Sequence, residues 1–180
     1  MIKVGKIFKS ASATFGLIPG IAVIITSLGV PPDQSKILFG GLVEVFGVLS
    51  LLLLFQHKGT FRAQSSTLIT KLVLIFIVIS FMSLIGYLFL YSYCIVKHED
   101  FDPVYFPLYA SGELADQLKI FSRYELIGEY GRDGAIKLIK QSSYLNLIIT
   151  SCIMLIIYII TFSSLTLAFG IPGIKQSSDE

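Results

Sequence analysis

Residues 72–96, LVLIFIVISFMSLIGYLFLYSYCIV, run for 25 positions without a charge. As a helix this stretch would rise about 37 Å, more than the roughly 30 Å of bilayer hydrocarbon. Tyr87, Tyr91 and Tyr93 gather toward its far end, where amphipathic rings favour the membrane–water interface. Downstream, a polar stretch from Lys97 to Ser143 precedes a second uncharged run, Leu145 to Gly170, which Ile171, Pro172 and Gly173 are expected to stop. Upstream lies a polar stretch, Gln56 to Lys71, and before it an apolar run from Ile37 to Phe55 whose one ionisable residue is Glu44. The remaining run, Ala11 to Val30, contains Pro19, where a kink is expected.

Spans are therefore predicted over about 11–30, 37–55, 72–96 and 145–170. Of the 180 residues, 54% are hydrophobic and 14% charged, where a soluble domain carries roughly 25% charged residues. The expectation is an all-α, four-helix transmembrane bundle forming a single membrane domain over residues 1–180. Lys3, Lys6 and Lys9 offer the basic start of a signal peptide. The run that follows lacks a small-residue cleavage pattern, so retention as a first span is expected.

Orientation follows from basic residues near the span ends. Lys3, Lys6 and Lys9 precede the first span, and Lys58, Arg62 and Lys71 lie between the second and third, whereas the 31–36 turn has only Lys36. Both basic groups fall on one side, predicting cytoplasmic termini and an extracytoplasmic 97–143 loop. That loop opens with His98, Glu99, Asp100 and Asp102, then turns aromatic and proline-punctuated through Tyr109, which reads as extended backbone. From Ser111, a predicted N-cap, Leu114, Leu118 and Phe121 recur at helical spacing, giving an amphipathic helix to about Tyr130 that Gly128, Gly131 and Gly134 break. A helix from Ala135 to Gln141 then leads into the fourth span. Together these make a small, partly helical extracytoplasmic cap.

Glu44 is the most informative single residue, because a carboxylate within an apolar span is costly unless it is protonated, paired or facing water. Gly40 and Gly47 fall on its helical face by spacing, so it is expected to face protein or a cavity, either for packing or as a pore-lining group. Ser12, Gly16 and Gly20 form a small-xxx-small ridge that permits close helix approach, within one chain or between copies.

Sites of chemistry are not expected. His57 and His98 are predicted on opposite sides of the membrane, and no Ser-His or Cys-His arrangement is supported. The acidic residues beside His98 lack a second histidine for a metal site. Cys94 and Cys152 form no CxxC pair, and no phosphate-binding glycine motif is present. A balanced charge, 14 basic against 12 acidic residues, gives no footprint for nucleic acid. The expectation is a non-enzymatic protein without cofactor or metal. It would act as a sensor coupling an envelope event to a partner, as an immunity protein against a pore-forming toxin, or as an ion-conducting oligomer using Glu44. A transporter should show more intramembrane polar groups or a clear inverted repeat, and the echo between residues 17–21 and 170–174 is too short to count as one.

Size and layout over the whole chain resemble the KwaA family, the membrane subunits of the bacterial Kiwa anti-phage system. Layout carries this resemblance, not a motif. It implies a homo-oligomer in the bacterial inner membrane that senses phage attack and signals to a cytoplasmic effector of the KwaB kind. Lys58, Arg62, Lys71 and the two termini would form the contact surface.

Overall fold

A computed structural model of the chain describes Pro31 and residues 36–176. Among the described residues the order is α1 Lys36–Gln56, α2 Lys58–Ala63, α3 Ser66–Cys94, β1 Ile95–Val96, β2 Val104–Tyr105, α4 Gly112–Ile120, α5 Arg123–Ser142 and α6 Tyr144–Gln176. The protein is mostly helical, and α1, α3 and α6 are long and apolar enough to cross a membrane. They correspond to the runs predicted at 37–55, 72–96 and 145–170. The span predicted at 11–30 lies outside the described residues.

Two boundaries of the long helices differ from expectation for physical reasons. The polar stretch 56–71 is largely helical, and Ser65 caps α3 early within it: the Leu68 N–H donates to Ser65 Oγ at 3.4 Å, and Leu68 and Ile69 N–H groups both reach Ser65 O. Lys71 therefore sits inside α3 instead of in a loop. At the other end, α6 does not stop at Ile171–Gly173 but continues through Pro172 to Gln176. Ile171 and Ile174 are buried with Leu54 and Ile69 on either side of the proline. Helical backbone carried past a proline is sustained where lipid offers carbonyls no alternative partner.

The chain divides into two compact units. Among the described residues, the first holds α1, α2, α3 up to Ile85 and α6 from Ile157. Phe39, Val43, Gly47, Leu51 and Leu54 mark the buried face of α1. Glycines permit close approach there: a Cβ on Gly170 would lie 3.2 Å from Leu51 Cδ2 and 3.3 Å from Leu54 Cδ1, and one on Gly47 would touch Thr166 Oγ1 at 3.8 Å. Phe39 meets Tyr158 edge-on at 5.9 Å. Hydroxyls join α3 to α6, with Ser80 Oγ donating to Thr161 O at 3.0 Å and Ser83 Oγ bonded to Thr161 Oγ1 at 2.8 Å. Small residues at crossings and interhelical hydroxyl bonds are the means by which helices associate in lipid.

The second unit holds α3 from Gly86, the ribbon, α4, α5 and α6 up to Ile156. The ribbon pairs Ile95 with Tyr105 and Val96 with Val104 in antiparallel register, in keeping with the extended backbone expected there. Its core is built from Val104, Phe106, Leu114, Leu126, Ile127, Ala135, Leu138 and Ile139. Helix α4 ends at Ile120, ten residues before the expected Tyr130. Phe121 is extended, and Ser122 starts α5 with a capping box. The glycine break falls at Gly131 alone, where φ is 67° within α5.

Candidate functional surfaces

Along α1, Phe39, Val43, Gly47, Leu51 and Leu54 recur every three or four residues and face inward, and the exposed positions begin on the flank of that face. Ile37, Gly41, Glu44, Val48 and Leu52 are all exposed and, at steps of three or four, form one stripe. Glu44 was expected to face protein or a cavity; among the described residues it is exposed and lies off the buried face of α1. Gly47 lies on the buried face against α6, Gly40 is half-buried between the two, and the three residues do not share one environment. Spacing alone placed them within one sector of the helix, but the inward direction is set by Phe39, Val43 and Leu54. Ser12, Gly16 and Gly20 lie outside the described residues.

The basic residues are divided between elements. Lys58 opens α2 and is half-buried, Arg62 belongs to the same short helix, and Lys71 is exposed in the second turn of α3. Phe61 of α2 packs against the core formed by Leu54, Ile69, Ile171 and Ile174. Lys58 and Arg62 thus belong to a short helix that Phe61 ties to the core between α1, α3 and α6.

In the second unit, Arg123 holds the ribbon and the end of α3 together. Its Nη1 donates to Tyr93 O at 2.5 Å and Nη2 to Pro107 O at 3.4 Å, while the guanidinium lies over the Tyr93 ring at 4.3 Å and 5.6 Å from the Phe106 ring. The planar fork makes both kinds of contact at once, which an ammonium would not do. His98 is stacked on Tyr124 at 4.4 Å and accepts the Asp100 N–H at Nδ1. Among the described residues, no three His, Cys, Asp or Glu side chains converge as metal ligands.

Ser111 anchors the other end of the same segment. It occupies the N-cap position of α4 as expected, with extended backbone, but its side chain makes no capping bond; the hydroxyl instead donates to Ser142 O at 2.9 Å and accepts from Asn146 Nδ2 at 3.1 Å. The Ser111 N–H donates to Ser143 Oγ, which in turn donates to Ser111 O, and the Leu114 N–H finds Ser142 Oγ. A few residues on, the Leu108 N–H donates to Thr150 Oγ1 at 3.0 Å. Tyr105 is buried, with its hydroxyl 3.4 Å from Met154 Sδ and accepting from Ser151 at 3.3 Å. Burial pushes its phenol up to about 12, against a smaller opposing effect of the Ser151 hydrogen bond. The polar segment is thereby fastened to the last turns of α3 through Arg123 and to the first turns of α6 through Ser111, Leu108 and Tyr105. Residue spacing carried no signal for these ties, because Arg123, Ser142 and Ser143 read as ordinary polar positions.

Comparisons with protein-family models, with curated proteins and with solved structures gave no match.

Proposed function

We propose that this chain is a non-enzymatic sensor and scaffold of the bacterial inner membrane, homo-oligomeric and KwaA-like, that passes an envelope event such as phage attack to a cytoplasmic effector. The observation that carries the reading is the double fastening of the 97–143 segment. A displacement of that segment is felt at Tyr93 through Arg123 and at Ser143 and Asn146 through Ser111. The attachment points lie at the C-terminal end of α3 and the N-terminal end of α6, helices long enough to reach the opposite membrane surface, since they would extend about 43 and 50 Å. The basic residues of α2 and α3 would then present the signal to an acidic surface of the effector.

The test is phage plating on cells that express the chain with its neighbouring genes. Wild type should lower plating efficiency. Arg123→Ala, which unfastens one attachment, and the triple change Lys58→Glu, Arg62→Glu, Lys71→Glu should each restore plating while membrane levels stay normal. If wild type leaves every phage unaffected but protects cells from one pore-forming toxin, the protein is an immunity protein and this reading fails.

A further inference from the structure

The ring of His98 lies where the loop between β1 and β2 folds against α5. Its side chain is 11% exposed, with one face stacked on Tyr124 at 4.4 Å and 22° and the Phe101 ring 5.3 Å away. At one edge Nδ1 accepts the Asp100 N–H at 3.3 Å. At the other, Nε2 lies against α5 at Gly128, where a Cβ would stand 3.4 Å from it. A neutral imidazole has one nitrogen that donates and one that accepts. With Nδ1 accepting, the ring proton is on Nε2, and a second proton can go only to Nδ1. The lone pair that holds the Asp100 N–H is then consumed, and two N–H groups face each other. The acceptor at hand belongs to the same residue, since Asp100 Oδ2 is 3.9 Å from Nδ1.

We infer that His98 is an acid-operated switch in the β1–β2 loop: a proton taken up at Nδ1 exchanges the Asp100 N–H for the Asp100 carboxylate and redraws the loop, while the ring stays on Tyr124. The stack survives the change because a cation over an aromatic face is attracted to it. Other charges nearby do not compete for the new N–H. In the loop, Lys97, Glu99 and Asp102 are exposed. In α5, Arg123 donates to Tyr93 O and Pro107 O, and the Glu125 carboxylate accepts the Ser122 N–H. Glu129 is exposed beside Gly128, and Arg132 lies 3.6 Å from Asp133 beyond the break at Gly131. The switch sits within the 97–143 segment, and its role rests on the proposed sensing function of that segment. Tyr124 follows Arg123, so the rearrangement occurs next to one of the two fastenings.

Nuclear magnetic resonance of the full chain in detergent micelles, labelled with nitrogen-15 at histidine and aspartate, tests it between about pH 8 and pH 5, the range in which histidines change charge. The chain has two histidines, so His57→Gln leaves His98 as the one reporter. At the alkaline end the ring nitrogens should show Nε2 protonated and Nδ1 bare. On acidification Nδ1 should gain its proton, and the Asp100 amide proton should shift with the same midpoint. Asp100→Asn keeps the N–H and removes the charge, and should lower that midpoint by about 0.7 pH units, as expected for an opposite charge 4 Å away in water. A ring protonated at Nδ1 in alkali, no transition within the range, an Asp100 amide indifferent to it, or an unmoved midpoint in Asp100→Asn would each overturn the inference. The titration uses neither phage nor effector, so its failure is distinct from failure of the plating assay.

Discussion

At Gly131 the backbone takes φ 67° and ψ 170° inside α5, a region almost closed to residues with a side chain. Nothing lies within 4 Å of where its Cβ would be, so the constraint is conformational and not steric crowding. Gly131→Ala should cost about 1–3 kcal/mol and lower the melting temperature of the detergent-solubilised protein. Gly59 is the control, since it too has open space around its Cβ but sits in helix α2 at ordinary φ. There alanine removes the helix penalty of glycine and should be neutral or stabilising, by at most about 1 kcal/mol. Equal effects at the two positions would show that the turn at Gly131 is not needed. Legibility at this scale was uneven. Glu44 stood out in the sequence because charge in an apolar run is costly wherever it points, but its direction depended on which neighbours pack inward, and that is a property of the partner helix.

The elements were legible in proportion to how much of their cause is local. Runs of apolar residues identified α1, α3 and α6, because a lipid-facing helix needs no patterning. The ends were harder, since they are settled by single hydrogen bonds. Ser122 and Glu125 illustrate this. The S-x-x-E spacing of a capping box is present, yet Leu118 and Phe121 continue a helical rhythm across it and conceal the break. In the structure the Glu125 N–H donates to Ser122 Oγ at 3.2 Å, and the Ser122 N–H donates to Glu125 Oε2 at 2.8 Å. The Ser122 N–H, with its hydroxyl in support, holds the Glu125 carboxyl below its ordinary value. A carboxylate whose folded pKa is depressed contributes stability that is complete above the unfolded value and is lost as pH falls through the folded one. Hydrogen-exchange protection factors in the first turn of α5 should therefore hold steady from pH 7 to about 5 and decline below about 4. Glu125→Gln should flatten that decline, and a decline of unchanged size in the variant would place the acid sensitivity elsewhere. Ser122→Ala, which removes the other half of the box, should cost about 1 kcal/mol at neutral pH.

For the whole molecule, orientation in the membrane is the property most open to a decisive measurement, and it follows from charge. The 97–143 segment carries six basic and eight acidic residues, while Lys3, Lys6 and Lys9 precede the apolar run at 11–30 and Lys58, Arg62 and Lys71 lie between the two apolar runs at 37–55 and 72–96. Basic residues close to span ends are retained in the cytoplasm, and α3, long and apolar enough to cross a membrane, would put residues 71 and 97 on opposite sides. Tyr109 is 77% exposed and belongs to the fastened segment, and Lys71 is exposed near the start of α3. In a Cys152→Ser background, Tyr109→Cys should react with a membrane-impermeant maleimide added to intact spheroplasts. Lys71→Cys should react only after the membrane is opened. The opposite pattern would turn the basic helices outward, away from any cytoplasmic effector. Labelling of both from outside would mean that α3 does not cross. Since a signal relayed through α3 and α6 needs the fastened segment and the basic helices on opposite surfaces, this orientation is a condition that the sensor reading has to meet.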